Sequence, residues 1–485
     1  MPLLWRKRRL SISSGSAIVP YSTRLLRYGN FDSALNLVRR WLTFASALPI
    51  VLAALTIPGT YQAAHASTAW PLKVSSDGRH LADQNDTPFL YTADTSWTML
   101  SMLSITDAKK YIDVRKSQGF NAIQTMATGW KRNGSGPRGK FFESGDVTQP
   151  NEAYFAGVDE IMAYAESQDI VLMVGLLWLA ENGGWSGGTA IPADQFAQYS
   201  KWLGMRYRNQ GNLIWFVGGD EEISVQTETT KATAAALIAV DPNHLISYHP
   251  RSHAFELRFE KWLSFNSFQW NANSAPYSYQ GIRQGYLLLP TKPILDAEPA
   301  YDPSPCCGED PVTTPQKVRR NGWWAMLSGA MGVVYGGPKE SWNIGAKGAP
   351  DWAKISRPAA THAGNIRRIL EPLAWSRLVP DFGNTAVSGG GRDGSTNYAA
   401  AAVASDGSLI VSYTPTTATL EVDLTRLSAS GTAQWFDPAS GQAQGPVAPV
   451  DNVGSKPFST PGLNCDQATD WVLVVKTKKS NSTRP

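Results

Sequence analysis

The chain has 485 residues, 44 Lys or Arg against 40 Asp or Glu, and a formal charge of +4 with a pI near 8.8. Residues 1–66 hold eight of those basic residues and one acidic residue, which leaves 36 basic and 39 acidic side chains and a formal charge of −3. The basic pI belongs largely to the N-terminal stretch, so no nucleic-acid-binding surface is implied.

Residues 1–66 read as a leader. Arg39 and Arg40 stand directly before an apolar run from Trp41 to Ile57, and Ala64-His65-Ala66 follows. A charged start, an apolar middle and a small-residue end predict a secretory signal peptide cut after Ala66. The product is then secreted or periplasmic, without membrane contact. An uncleaved anchor is the alternative, because the run lies at the short end of spanning length. The three cysteines, Cys306, Cys307 and Cys465, allow one disulfide but no disulfide framework. No His-Glu-x-x-His, Cys-x-x-Cys, phosphate loop or dinucleotide fingerprint occurs, so no metal or other cofactor is expected. The composition stands out in its 18 Trp and 17 Tyr, rings that stack on sugars when exposed.

The remaining chain, about 420 residues, is long enough for two domains. Strand-like runs start near Phe89, Asn121, Ile170, Leu213, Leu245, Leu263, Ile294 and Val333. Helical stripes alternate with them: one capped by Asn151, one opened by Pro192, and two over 315–330 and 359–375. Only the fifth and sixth strands lack a clear helix between them. Eight such units predict an α/β fold, a (β/α)8 TIM barrel over residues 67–380, with a doubly wound open sheet as the alternative. After Val379 short alternating runs such as Leu409–Tyr413, Leu420–Leu424 and Trp471–Val475 predict a C-terminal antiparallel β-sandwich over 381–478. Residues 479–485 read as a disordered tail.

The strand ends concentrate the chemistry. Pro293 to Ala297 reads as a buried strand on which Ile294, Asp296 and Glu298 share one face. Pro299 stops it, leaving Glu298 at the C-terminal tip, where barrel enzymes keep their reacting groups. Strand four ends in Gly218-Gly219-Asp220, two glycines that leave space around a carboxylate. The other ends supply Asp94 and Trp97, Trp130, Trp185, His249, Gln269 with Trp270, and Tyr301. Two carboxylates among aromatic platforms suit glycosidic bond cleavage, in which one acid protonates the leaving oxygen and the other attacks or activates water. Asp220 and Glu298 are the catalytic candidates and the remaining residues the substrate-binding ones, for an oligo- or polysaccharide. Plainer roles stand beside these: Asp94 paired with a barrel arginine, the tryptophans as core, His249 as a hydrogen-bonded structural residue. Neighbouring Glu221, Glu222 and Glu298 with a Trp215 wall are expected to keep Asp220 protonated, and a donor such as His249 or Tyr301 to keep Glu298 ionised.

Taken together, Asp94-Thr95-Ser96-Trp97, Gly119-Phe120-Asn121, the Trp215–Asp220 segment, Tyr248-His249-Pro250 and Glu298-Pro299-Ala300-Tyr301 resemble the apiosidase-like domain of glycoside hydrolase family 140 and its relatives. The resemblance spans roughly residues 72–378. Trp435 to Gly441 is similar to the small β domain, named for collagen binding, that usually follows. It implies a retaining barrel glycosidase with Asp220 as general acid/base and Glu298 as nucleophile, releasing apiose-linked oligosaccharide from a pectin side chain. The wider clan usually has Glu as the acid, and Glu221 and Glu222 directly follow Asp220, so which carboxylate points inward stays open. Another pentofuranoside or a galactan is the alternative substrate, and a non-catalytic carbohydrate- or matrix-binding protein the alternative function.

Overall fold

The computed structural model describes residues 67–184, 188–269, 278–303 and 313–478. The leader, Trp185, Trp270, Cys306, Cys307 and the 479–485 tail lie outside the described residues. Eight buried runs form parallel strands: β1 Tyr91–Thr95, β2 Ala122–Met126, β3 Val171–Gly175, β4 Leu213–Glu221, β5 Leu245–Pro250, β6 Asn266–Gln269, β7 Ile294–Glu298 and β8 Gly332–Gly336. Six pair in the order β5-β4-β3-β2-β1-β8, and β6 pairs with β7. Hydrogen bonds close the two seams. Ser264 N–H donates to the Ile246 carbonyl at 2.8 Å, the Ser247 and Ser267 hydroxyls meet at 2.8 Å, and Met331 N–H donates to the Ile294 carbonyl at 2.9 Å. The sheet is a barrel and not an open sheet.

Side-chain alternation divides the strands into two cores. Ile214 and Phe216 point into the barrel with Ala93, Met173, Leu295 and Ala297, while Leu213, Trp215 and Val217 face the helices. Trp215 therefore does not wall the site as expected; its indole N–H donates to Asp241 at 2.7 Å on the helix side. The helix Glu152–Ser167 begins where the Asn151 side chain accepts the Tyr154 N–H at 3.0 Å. Ala193–Tyr207, Thr227–Val240, Pro315–Leu327 and Pro358–Leu370 continue the outer layer, and only a 3-10 turn, Phe255–Phe259, joins β5 to β6.

The C-terminal region is a sandwich of a six-stranded and a three-stranded antiparallel sheet. Leu378–Pro380 already pairs with Ala402–Ala404, so the larger sheet starts ahead of the expected residue 381. Ile410, Leu420, Val422, Leu473 and Val475 form a core between the two sheets, and the opposite face of the larger sheet packs on the barrel. Trp323, Trp324, Ile366 and Leu370 from the barrel helices share one cluster with Tyr398, Val411, Tyr413 and Val474, and burial of side chains this large contributes roughly 2–3 kcal/mol each. The Asn365 amide donates to the Ala439 carbonyl at 2.6 Å, so the turn after Asp437 docks onto a barrel helix.

Candidate active site

The end of β4 departs from a regular ladder. His249 stands opposite Gly218, and Pro250 opposite Glu221, which leaves Gly219 and Asp220 as an extra pair in a bulge. Gly218 and Gly219 have φ of +99° and +107°, and a Cβ on them would fall 2.5 Å from the His249 carbonyl oxygen and 2.6 Å from the Trp178 ring. Asp220 itself sits at φ +50°, a left-handed conformation that Asp tolerates better than most residues. This backbone aims Asp220 into the barrel mouth. Glu221 turns away, buried against Gly184, and Glu222 accepts the Ser252 hydroxyl at 3.3 Å. Of the three consecutive acids, Asp220 is the one that faces Glu298.

β7 also slips register, with Phe268 opposite Asp296 and Gln269 opposite Glu298. Asp296 and Glu298 consequently do not share the face that strict alternation assigned them. Asp296 is buried beside Val318, Asn321 and Ala325 of the following helix, whereas Glu298 turns to the mouth.

There Gln269 bridges the pair. Its amide N–H group donates to Asp220 Oδ1 at 3.0 Å and to Glu298 Oε2 at 2.7 Å. The Tyr301 hydroxyl donates to Glu298 Oε1 and accepts the Trp97 indole N–H at 3.0 Å. Buried His249 lies with Nε2 3.4 Å from Glu298 Oε2 and Nδ1 4.0 Å from Asp220 Oδ1. One polar atom from each of Asp220, His249 and Glu298 lies within 4.8 Å of the others. Two carboxylates and an imidazole are also a donor set for a cation. Here, however, the Gln269 N–H group points at the Asp220 Oδ1 and Glu298 Oε2 atoms that face His249, and the Tyr301 O–H group holds Glu298 Oε1, which suits proton chemistry and hydrogen-bond acceptance.

Burial pushes the Asp220 carboxyl up to about 6, against the opposing pull of the Gln269 amide, Glu298 and Arg251. Burial and then the Asp220 charge push Glu298 well above the usual carboxylate range, although Tyr301 and Trp97 act to lower it. The expectation that only Asp220 would be raised fails because both acids share one dry cleft. Burial drops His249 to about 3, so it is a neutral imidazole at neutral pH, and Tyr301 is the hydroxyl donor to Glu298.

Asp94 does not reach this cluster. It is fully buried on the helix side of β1, 3.0 Å from Arg115 and accepting the Tyr111 hydroxyl, so the plainer ion-pair role is the one it fills. Trp97 and Trp178 are buried beneath the acids and form a floor, 4.8 Å between ring centroids. Trp130 is half-buried at the rim, its N–H on Asn343 Oδ1 at 3.0 Å and its ring 6.1 Å from Trp342. Trp342 was not among the sequence candidates. Its signal was the Gly336-Gly337 end of β8, after which the short helix Lys339–Trp342 carries the ring to within 6.1 Å of Tyr301.

A closed (β/α)8 barrel with two facing carboxylates at its C-terminal mouth, floored and rimmed by tryptophan, is the architecture of a glycoside hydrolase. Residues 75–377 match the family described as "Apiosidase-like, catalytic domain", and the chain belongs to that family. Residues 385–476 match "Putative collagen-binding domain of a collagenase". Among solved structures, a glycoside hydrolase is similar at TM-score 0.72 and 23% identity, over 86% of this chain and 98% of that one. A glycoside hydrolase family 5 protein from Bacteroides vulgatus ATCC 8482 is similar at TM-score 0.74 and 21% identity, over 85% of this chain and 95% of its own. These likenesses show the shared fold. No curated protein matched the chain. Among the described residues no helix is long and apolar enough to cross a membrane.

Proposed function

We propose that the protein is an exported glycosidase acting on pectin-type plant cell-wall polysaccharide, with release of apiose-linked oligosaccharide as the named activity, and that Asp220 and Glu298 are its catalytic pair. The observation that carries this reading is the approach of the two acids to within 4.8 Å across one cleft. An approach this close of one atom from each favours the roughly 5–5.5 Å carboxyl separation of retaining enzymes over the roughly 6.5–9.5 Å that accommodates a water. In the first step Asp220 gives its proton to the leaving glycosidic oxygen while Glu298 Oε2 attacks the anomeric carbon, forming a glycosyl ester. Asp220 then takes a proton from the water that hydrolyses the ester, and both groups return to their starting states. Placing the shared proton on Asp220 removes the charge that is the second cause of Glu298's upward shift. The Tyr301 and Gln269 donors then favour the Glu298 anion.

The test is a screen of purified protein on pectin fractions and aryl glycosides, alongside Asp220→Asn and Glu298→Gln. The expected result is hydrolysis of a pectin fraction that both variants lose while keeping the parental circular dichroism. Near-parental turnover by either variant would remove that residue from the pair. Cleavage confined to another pentofuranoside or a galactan would keep the mechanism and replace the substrate. Export rests on the leader sequence, and N-terminal sequencing of secreted protein should begin at Ser67.

A further inference from the structure

Tyr301 holds Glu298 Oε1, and something must hold Tyr301. The next residue, Asp302, is fully buried, and Arg357 grips it at two points, Nε to Oδ2 at 2.8 Å and Nη2 to Oδ1 at 3.1 Å. The Tyr335 hydroxyl from β8 donates to the same Oδ2 at 3.3 Å, and the Asp302 N–H donates to the Gly336 carbonyl at 2.8 Å. Arg357 precedes the helix Pro358–Leu370, so the turn after β7 is fastened both to β8 and to the outer layer. Beneath the ring, a Cβ on Gly336 would come within 1.8 Å of Tyr301 Cδ1, and above it Trp97 donates to the phenolic oxygen. Asp302 thus fixes the backbone that carries the tyrosine, and Gly336 and Trp97 confine its ring.

We propose that Arg357 and Asp302 are positioning residues, which act from outside the cleft by holding the Tyr301 hydroxyl on Glu298 Oε1 and so leave Oε2 as the oxygen facing Asp220. The proposal rests on the reading of Glu298 as the nucleophile. Arg357 touches no group of the cleft directly; its described partner is Asp302, with Tyr335 adjoining. The ionisable groups that face Glu298 are Asp220 from β4, His249 from β5, Asp296 from β7, and Tyr301, with Arg251 beyond Asp220. An Arg357 variant leaves all of them in place.

The test follows the Glu298 carboxyl itself, by 13C NMR of protein labelled at glutamate Cδ, with the resonance identified by its loss in Glu298→Gln. A donor on a carboxylate lowers its titration midpoint, so Tyr301→Phe should raise that of Glu298 by roughly one pH unit. Arg357→Met and Asp302→Asn should raise it in the same direction, Arg357→Lys should do so less, and Tyr301→Phe/Arg357→Met should shift no further than Tyr301→Phe alone. The proposal is overturned if Arg357→Met and Asp302→Asn keep the parental midpoint with native near-UV circular dichroism, or if the double variant adds a further full shift. Should Arg357→Met fail to fold, Arg357→Lys and Asp302→Asn decide. Failure of the underlying functional reading shows elsewhere, as turnover surviving in Glu298→Gln, and leaves these midpoints unchanged.

Discussion

Arg319 and Asp470 meet in a two-point ion pair, 2.7 Å at each contact, with neither side chain exposed. One belongs to a barrel helix and the other directly precedes the last strand of the sandwich. His362, Asp466 and Tyr413 complete the cluster. Removing one partner strands a buried charge, so Arg319→Met should lower stability by about 3–5 kcal/mol. Urea denaturation should show one transition for the parent, because barrel and sandwich share an apolar cluster. Two separated parental transitions would contradict a common core.

The acid pair makes a prediction about stability against pH. A carboxyl whose folded value is raised binds its proton more tightly in the native state, so stability falls as pH rises through the window between the unfolded and folded values. For Asp220 that window runs from 3.8 to about 6. Asp220→Asn should therefore gain about 3 kcal/mol at pH 8 and nothing at pH 3.5. Melting temperatures of parent and variant at the two pH values check this, and equal differences at both would refute it.

Gly219→Ala tests the bulge. The new methyl meets the Trp178 ring, and φ is +107°. Displacing Asp220 by about 1 Å should cost on the order of 100-fold in kcat. Rates on the screened substrate, with circular dichroism as control, give the answer.

Asp94 separates structure from recognition. Because it is ion-paired to Arg115 away from the cleft, Asp94→Asn should lower the melting temperature and leave KM within about twofold. A large rise in KM with unchanged stability would return Asp94 to the substrate.

The barrel was legible because most strands are apolar runs that alternate with helical stripes, and every predicted start falls within three residues of an observed strand. Asp220 and Glu298 were legible because a carboxylate at a strand tip, after glycines or before proline, is costly without a purpose. What the sequence hid was parity. The bulge in β7 takes Glu298 off the face that alternation shares between Ile294 and Asp296. Trp215, in contrast, lies an odd number of residues before Asp220, so alternation itself turns it to the helices and away from the cleft. Long-range partners were equally hidden: Asp94 meets Arg115 across a helix, and Asp302 meets Arg357 across a strand and several turns. Gln269 is legible as a site residue from its strand end, but the bridge its amide makes between both acids is not.

The β4 bulge also bears on how such a site changes through descent. On the proposed reading Asp220 stands where the wider clan usually has glutamate, and it is one methylene shorter. Side chains alternate along a regular strand. Losing Gly219 would leave one extra residue in place of two and shift the alternation beyond it by one, turning Asp220 outward and bringing Glu221 toward the mouth. Which acid serves the cleft is thus set by the number of residues in the strand, and a single-codon deletion, not a substitution, is the change that would exchange one for the other.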